Sequence, residues 1–138
     1  MNRTSRGFTL LEMMIVVVII AILAAVAYPN YRRYVQRSNR ADAKDLAMRI
    51  ASAEERRYTN LNRYTDQFTG DDSLQMSDVS ERGLYTAQVQ LGNGDQTFTL
   101  LLVPGGSQAS DACGTLTINN TGFKDWTGDK PPSNGACW

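Results

Sequence analysis

Side chains able to do chemistry by type and spacing are few in this sequence. They are Glu12, a carboxylate inside a long apolar run, the cysteines Cys113 and Cys137, and the aspartates Asp66, Asp71, Asp72 and Asp78. A carboxylate at depth in hydrocarbon costs a few kcal/mol and by default implies a partner. The alternative is that Glu12 snorkels to the headgroups from the first turn of a helix. The four aspartates could offer oxygens to calcium, but they lack the spacing of an EF-hand loop and read more simply as solvated loop acids. No metal or cofactor site is expected. Histidine is absent from all 138 residues, which removes imidazole acid–base chemistry, Ser-His and Cys-His nucleophile pairs and imidazole metal ligands. No other nucleophile–base pair stands out, so the chain is not expected to be an enzyme. Fourteen basic residues balance fourteen acidic ones, and nucleic-acid binding is disfavoured without the usual basic excess.

The elements that carry these residues differ sharply in composition. Phe8 to Tyr28 contains 19 apolar residues in 21 positions. As a helix it would be about 31 Å long, close to the ~30 Å of a bilayer core. β-branched residues crowd Ile15 to Ile20, but the run exceeds any ordinary strand and passes into the helix former alanine at 21–27. A membrane helix is predicted. The leader MNRTSRG is short, carries Arg3 and Arg6 and has no acid; Ala25-Val26-Ala27 also fits the small-residue pattern of ordinary signal cleavage.

Gly7-Phe8-Thr9-Leu10-Leu11-Glu12, with the basic leader before it and the apolar run after it, resembles a type IV prepilin signature. The resemblance covers the leader, the apolar helix and Pro29. It implies cleavage between Gly7 and Phe8 by a prepilin peptidase, N-methylation of the new Phe8 amine, and contact between Glu12 and the Phe8 amine of a neighbouring subunit. Phe8 and Glu12 are spaced i,i+4, so a helix through both would carry them on one face. Between staggered chains such an ion pair would set axial register, since a buried charge left unpaired costs about 3–5 kcal/mol. The resemblance places the C-terminal part outside the cytoplasm. Arg32, Arg33, Arg37 and Arg40 follow the span with no acid before Asp42, and the positive-inside rule alone would give the opposite orientation.

Pro29 is expected to bend the helix. Tyr31, Tyr34, Val35, Ala43, Leu46, Ala47, Ile50 and Ala53 mark a stripe at helical spacing, predicted to pack on a sheet. Arg40, Asp42, Lys44, Asp45, Arg49, Glu54 and Arg57 read as a solvated, charge-mixed face. Alternating runs then predict strands over Leu84–Leu91, Gln96–Val103, Gly114–Asn119 and Phe123–Trp126, with Asn93-Gly94 as a hairpin turn. Outside the cytoplasm, Cys113 and Cys137 are expected to form a disulfide worth ~3–4 kcal/mol for a loop of this length. Two cysteines bracketing a C-terminal loop also resemble the disulfide-bounded region of type IVa pilins, most like the small PilE-like minor pilins.

The expected class is α+β, a type IV pilin fold with a long N-terminal helix on a three- to four-stranded antiparallel sheet. The expected divisions are a cleaved leader (1–7), a transmembrane and filament-core helix (8–28), an amphipathic second half (29–58), a connecting loop (59–83), and a sheet with a disulfide loop (84–138). The resemblance implies a pilus subunit, of a minor kind, serving adhesion or twitching motility. Its partners would be other pilin subunits, the prepilin peptidase, the pilus assembly machinery and, before assembly, the bacterial inner membrane. A type II secretion pseudopilin, a DNA-uptake pilin and a membrane-anchored periplasmic domain are the alternatives.

Overall fold

The computed structural model describes residues 7–128 and 136–138. A single helix, α1, runs from Leu10 to Leu61 with Pro29 inside it. The chain divides into two compact units, Met1–Tyr34 and Val35–Trp138. In the first, every described residue is exposed, and the apolar stretch is long and apolar enough to cross a membrane. An apolar surface of that length with nothing packed on it is stable only in lipid or against other apolar helices.

In the second unit, α1 buries Asn39, Arg40, Ala43, Leu46, Ala47, Ile50, Ala53 and Glu54, one face at three- and four-residue spacing. Tyr31 and Tyr34, expected on that stripe, are exposed instead. The buried face begins at Asn39, five residues past Tyr34, where side chains of the second unit meet it. The helix ends three residues beyond its expected limit of 58. Asn62 takes the left-handed conformation (φ 53°), and its N–H bonds the Tyr58 carbonyl at 2.8 Å. This is a C-terminal cap that asparagine tolerates.

Four strands follow, β1 (Tyr85–Gly92), β2 (Thr97–Pro104), β3 (Leu116–Asn119) and β4 (Lys124–Trp126). They form one antiparallel meander in the order β1-β2-β3-β4. Register aligns the apolar positions across the sheet: Ala87 opposes Leu102, Val89 opposes Leu100, Leu100 opposes Ile118, and Leu102 opposes Leu116. These side chains share one core with Ala43, Leu46, Ala47 and Ile50, the period-2 face meeting the helical stripe. The β1–β2 loop contains the predicted Asn-Gly, but it spans four residues. Asn93, Gly94 and Asp95 all have positive φ, and the Gln96 N–H closes on the Gly92 carbonyl at 3.1 Å.

The connection from helix to sheet is tied at its start and again near its middle. Tyr64 stacks on Tyr58 with ring centroids 4.6 Å apart and meets Phe98 edge-on at 4.8 Å. Its N–H donates to the Asp95 carbonyl at 2.9 Å. Farther on, Asp72 accepts from both Arg57 and Arg63 at 2.6 Å. Arg57, beside it, holds the Asp72 carboxyl below its ordinary range. Asp72 is thus occupied by guanidinium groups, and no cluster of metal-binding side chains is found among the described residues.

Candidate functional site

The residues singled out from sequence fall in separate places. Gly7 and Phe8 precede the helix and are exposed. Thr9 is the N-cap: its hydroxyl accepts the Glu12 N–H at 3.2 Å, while a Glu12 carboxylate oxygen accepts the Thr9 N–H at 3.4 Å. This reciprocal capping box satisfies two of the orphan donors at the helix start. The box is not among the expectations above, although Thr9-Leu10-Leu11-Glu12 ahead of an apolar run is its signature. Because α1 begins at Leu10, Phe8 lies outside it, and the shared helix face expected of Phe8 and Glu12 is not formed within this chain. Glu12 closes on Thr9. The leader positions Arg3 and Arg6 lie outside the described residues.

Pro29 sits mid-helix, where its ring denies the Ala25 carbonyl a helical donor. The Asn30 side-chain amide reaches back to the Val26 carbonyl at 3.2 Å. This adds a donor in the turn that proline weakens.

At the other end of the chain, Cys113 and Cys137 are joined in a disulfide, with Cα atoms 5.6 Å apart and neither residue exposed. Part of the enclosed loop, 129–135, lies outside the described residues. Flanking contacts clamp the bridge: the Gly128 N–H bonds the Cys113 carbonyl at 3.0 Å, and the Trp138 indole N–H bonds the Asp125 carbonyl at 2.7 Å. Lys124 lies 5.3 Å from the Trp138 ring centroid, within cation–π range.

Two helix charges that read as solvated prove to be buried. Arg40 makes a two-pronged ion pair with Asp111, Nε to Oδ2 at 2.7 Å and Nη2 to Oδ1 at 2.6 Å. Gln108, in the short 3-10 helix Gly106–Gln108, donates to Asp111 Oδ2 and to the Gln36 carbonyl, both at 3.0 Å. Asn39 donates to Gln108 at 3.1 Å and accepts from Arg82 at 2.8 Å. The network pins the helix to the segment leading into the disulfide. Glu54 is likewise fully buried, and its Oε2 accepts the Thr65 N–H at 3.2 Å. Burial pushes its carboxyl up to about 7, against the opposing pull of the Thr65 N–H and Arg57.

The arrangement consists of an exposed apolar helix with a capped end, joined in sequence to a disulfide-clamped sheet unit. Comparison with known proteins points the same way. Residues 2–28 match the prokaryotic N-terminal methylation motif, and residues 29–117 match the family described as type IV minor pilin ComP, DNA uptake sequence receptor. Type IV major pilin protein PilE1 of Neisseria gonorrhoeae is 38% identical over 102 residues, 73% of this chain and 61% of that protein. Type IV major pilin protein PilA of Myxococcus xanthus is 43% identical over 65 residues, 47% of this chain and 30% of that protein. The chain therefore spans about three fifths of the length of the Neisseria relative and less of the other. A solved type IV pilin from Shewanella oneidensis superposes with a TM-score of 0.52 at 25% identity, over 75% of this chain and 97% of that one.

Proposed function

The chain belongs to the type IV pilin family, and from that premise we propose that it is a minor pilin, stored in the bacterial inner membrane and assembled into a surface filament for adhesion or twitching motility. The observation that carries this reading is the N-terminal one. A methylation motif is followed by a capped helix whose apolar run is exposed along its whole length. Lipid can cover that surface before assembly and the helices of other subunits can cover it afterwards. Similar stability in the two settings would let assembly machinery move subunits between them.

In this reading a prepilin peptidase cuts between Gly7 and Phe8, and the freed Phe8 amine is methylated. The Glu12 carboxylate then exchanges the Thr9 N–H of its own chain for the Phe8 ammonium of a neighbour. A charge-assisted bond replaces a neutral-donor one, and a misplaced register would leave Glu12 without its cation. The sheet unit faces outward, with its C-terminal segment held by the disulfide.

A second reading, a pilin that takes DNA into the cell, is favoured by one finding: the family matched over residues 29–117 is described as a DNA uptake sequence receptor. The acidic balance beyond residue 63 weighs against it. Intact mass of the protein purified from its native membrane tests the main reading. The expected mass begins at methylated Phe8 and lacks two hydrogens at the disulfide; a mass retaining Met1 refutes it. Deleting the gene separates the two roles. Loss of adhesion or twitching with DNA uptake intact supports the first, and loss of uptake alone supports the second.

A further inference from the structure

From the last residue of the apolar run onward, α1 carries five exposed side chains of two kinds. Tyr28, Tyr31 and Tyr34 are 66, 67 and 62% exposed, and Arg32 and Arg33 are exposed between them. All five belong to the first unit. Neither arginine has an ion-pair partner among the described residues. No acid occurs between Glu12 and Asp42, so nothing nearby along the chain neutralises the pair. At about 100° per residue, the tyrosines occupy one arc of roughly 120° and the arginines fall outside it, so together they ring the helix. Tyr28 to Tyr34 covers about 9 Å of axis, comparable to the roughly 5–8 Å of one headgroup layer.

We propose that Tyr28, Tyr31, Arg32, Arg33 and Tyr34 form a collar that binds anionic phospholipid headgroups, in the leaflet from which the rest of the chain emerges. This rests on the reading that the chain is stored in a membrane. A guanidinium meets a phosphate with a planar fork of donors and is more weakly hydrated than an ammonium, which suits it to a partly dehydrated interface. Tyrosine keeps its ring at the edge of the hydrocarbon and its hydroxyl among the headgroups. The partner must be anionic because the collar holds two uncompensated positive charges and no carboxylate to receive a choline or an amine. Continuity with the apolar run puts the collar at headgroup depth whenever that run is in lipid. The collar then holds the stored subunit at a set depth. The same arginines that oppose passage across the membrane would anchor the chain once passage is complete.

The test uses the full chain and its R32Q/R33Q and R32K/R33K variants in vesicles of mixed phosphatidylcholine and phosphatidylglycerol. Flotation in alkaline carbonate first establishes that each chain is membrane-embedded, and mild detergent extraction with native mass spectrometry then counts retained lipids. Each arginine at an anionic surface is worth about fivefold in affinity. The wild-type chain should therefore retain phosphatidylglycerol over phosphatidylcholine by roughly 25-fold relative to the bulk ratio, and less at high salt. R32K/R33K should keep most of that preference and R32Q/R33Q should fall near the bulk ratio. A floated wild-type chain with the bulk ratio overturns the collar and leaves membrane storage standing, whereas a chain that does not float overturns both. If R32Q/R33Q keeps its lipid but loses dimers, or loses added duplex DNA, the arginines serve a second copy or a nucleic acid instead.

Discussion

Replacing Glu54 by glutamine removes a carboxyl group that the fold holds in its protonated form more tightly than the unfolded chain does. Its pKa stands at about 7 against an ordinary 4.5, and burial is the main cause. Glu54 contributes its full stability below pH 4.5, where it is protonated in both states. That contribution is lost as pH rises through about 7, because ionisation in the folded state must be forced. A shift of this size corresponds to about 3 kcal/mol between the two limits. Glutamine keeps an oxygen for the Thr65 N–H, but its amide nitrogen replaces Oε1, which has no partner among the described residues. That substitution carries its own cost of about 1–3 kcal/mol at every pH. The informative quantity is therefore the change in the stability difference between E54Q and wild type. From pH 4.5 to pH 8 it should move in favour of E54Q by about 3 kcal/mol, of the order of 10 °C in Tm for a unit near 100 residues. Thermal unfolding of the full chain in detergent, followed by near-ultraviolet circular dichroism of Trp126 and Trp138, reads the packed sheet unit and not the helix alone. Groups common to both proteins, such as Asp72, cancel in the difference. A Tm gap that stays constant across this range, or that moves in favour of wild type as pH rises, refutes the reasoning.

Three further outcomes follow from the sheet unit. R40A should cost about 3–5 kcal/mol in urea unfolding, because it strands the buried Asp111 carboxylate, whereas R40M/D111L should recover much of that loss. C113S/C137S should lower stability by about 3–4 kcal/mol on loop-closure grounds, and reductant should bring the wild-type chain to the same urea midpoint. G128A should destabilise by at least about 1–3 kcal/mol. A Cβ there would run into the Ala112 carbonyl oxygen and stand 2.9 Å from the carbonyl carbons of Ala112 and Cys113, backbone atoms that cannot swing aside. A Tm equal to wild type would show that the β4 end is looser than its hydrogen bonds imply.

The apolar helix, the prepilin-like signature, the alternating strands and the disulfide were legible in the sequence because each rests on nearby residues or a small combinatorial choice. Nineteen apolar positions in 21 force burial in lipid or protein whatever the rest of the chain does. Period-2 runs around Asn93-Gly94 leave little freedom in how β1 and β2 pair. Two cysteines admit one intramolecular bond. Even the capping box is local, and lies within four residues. Arg40 and Glu54 are different. Both sit among mixed charges on a helix, where a solvated face is the natural reading, and both are buried. Arg40 is buried because Asp111 arrives from 71 residues away with Gln108 beside it, and Glu54 because the chain returns after Asn62 to lay Thr65 against it. Local pattern determines which surfaces must leave water. Whether a charge can leave with them depends on a distant partner, and only the tertiary structure supplies it.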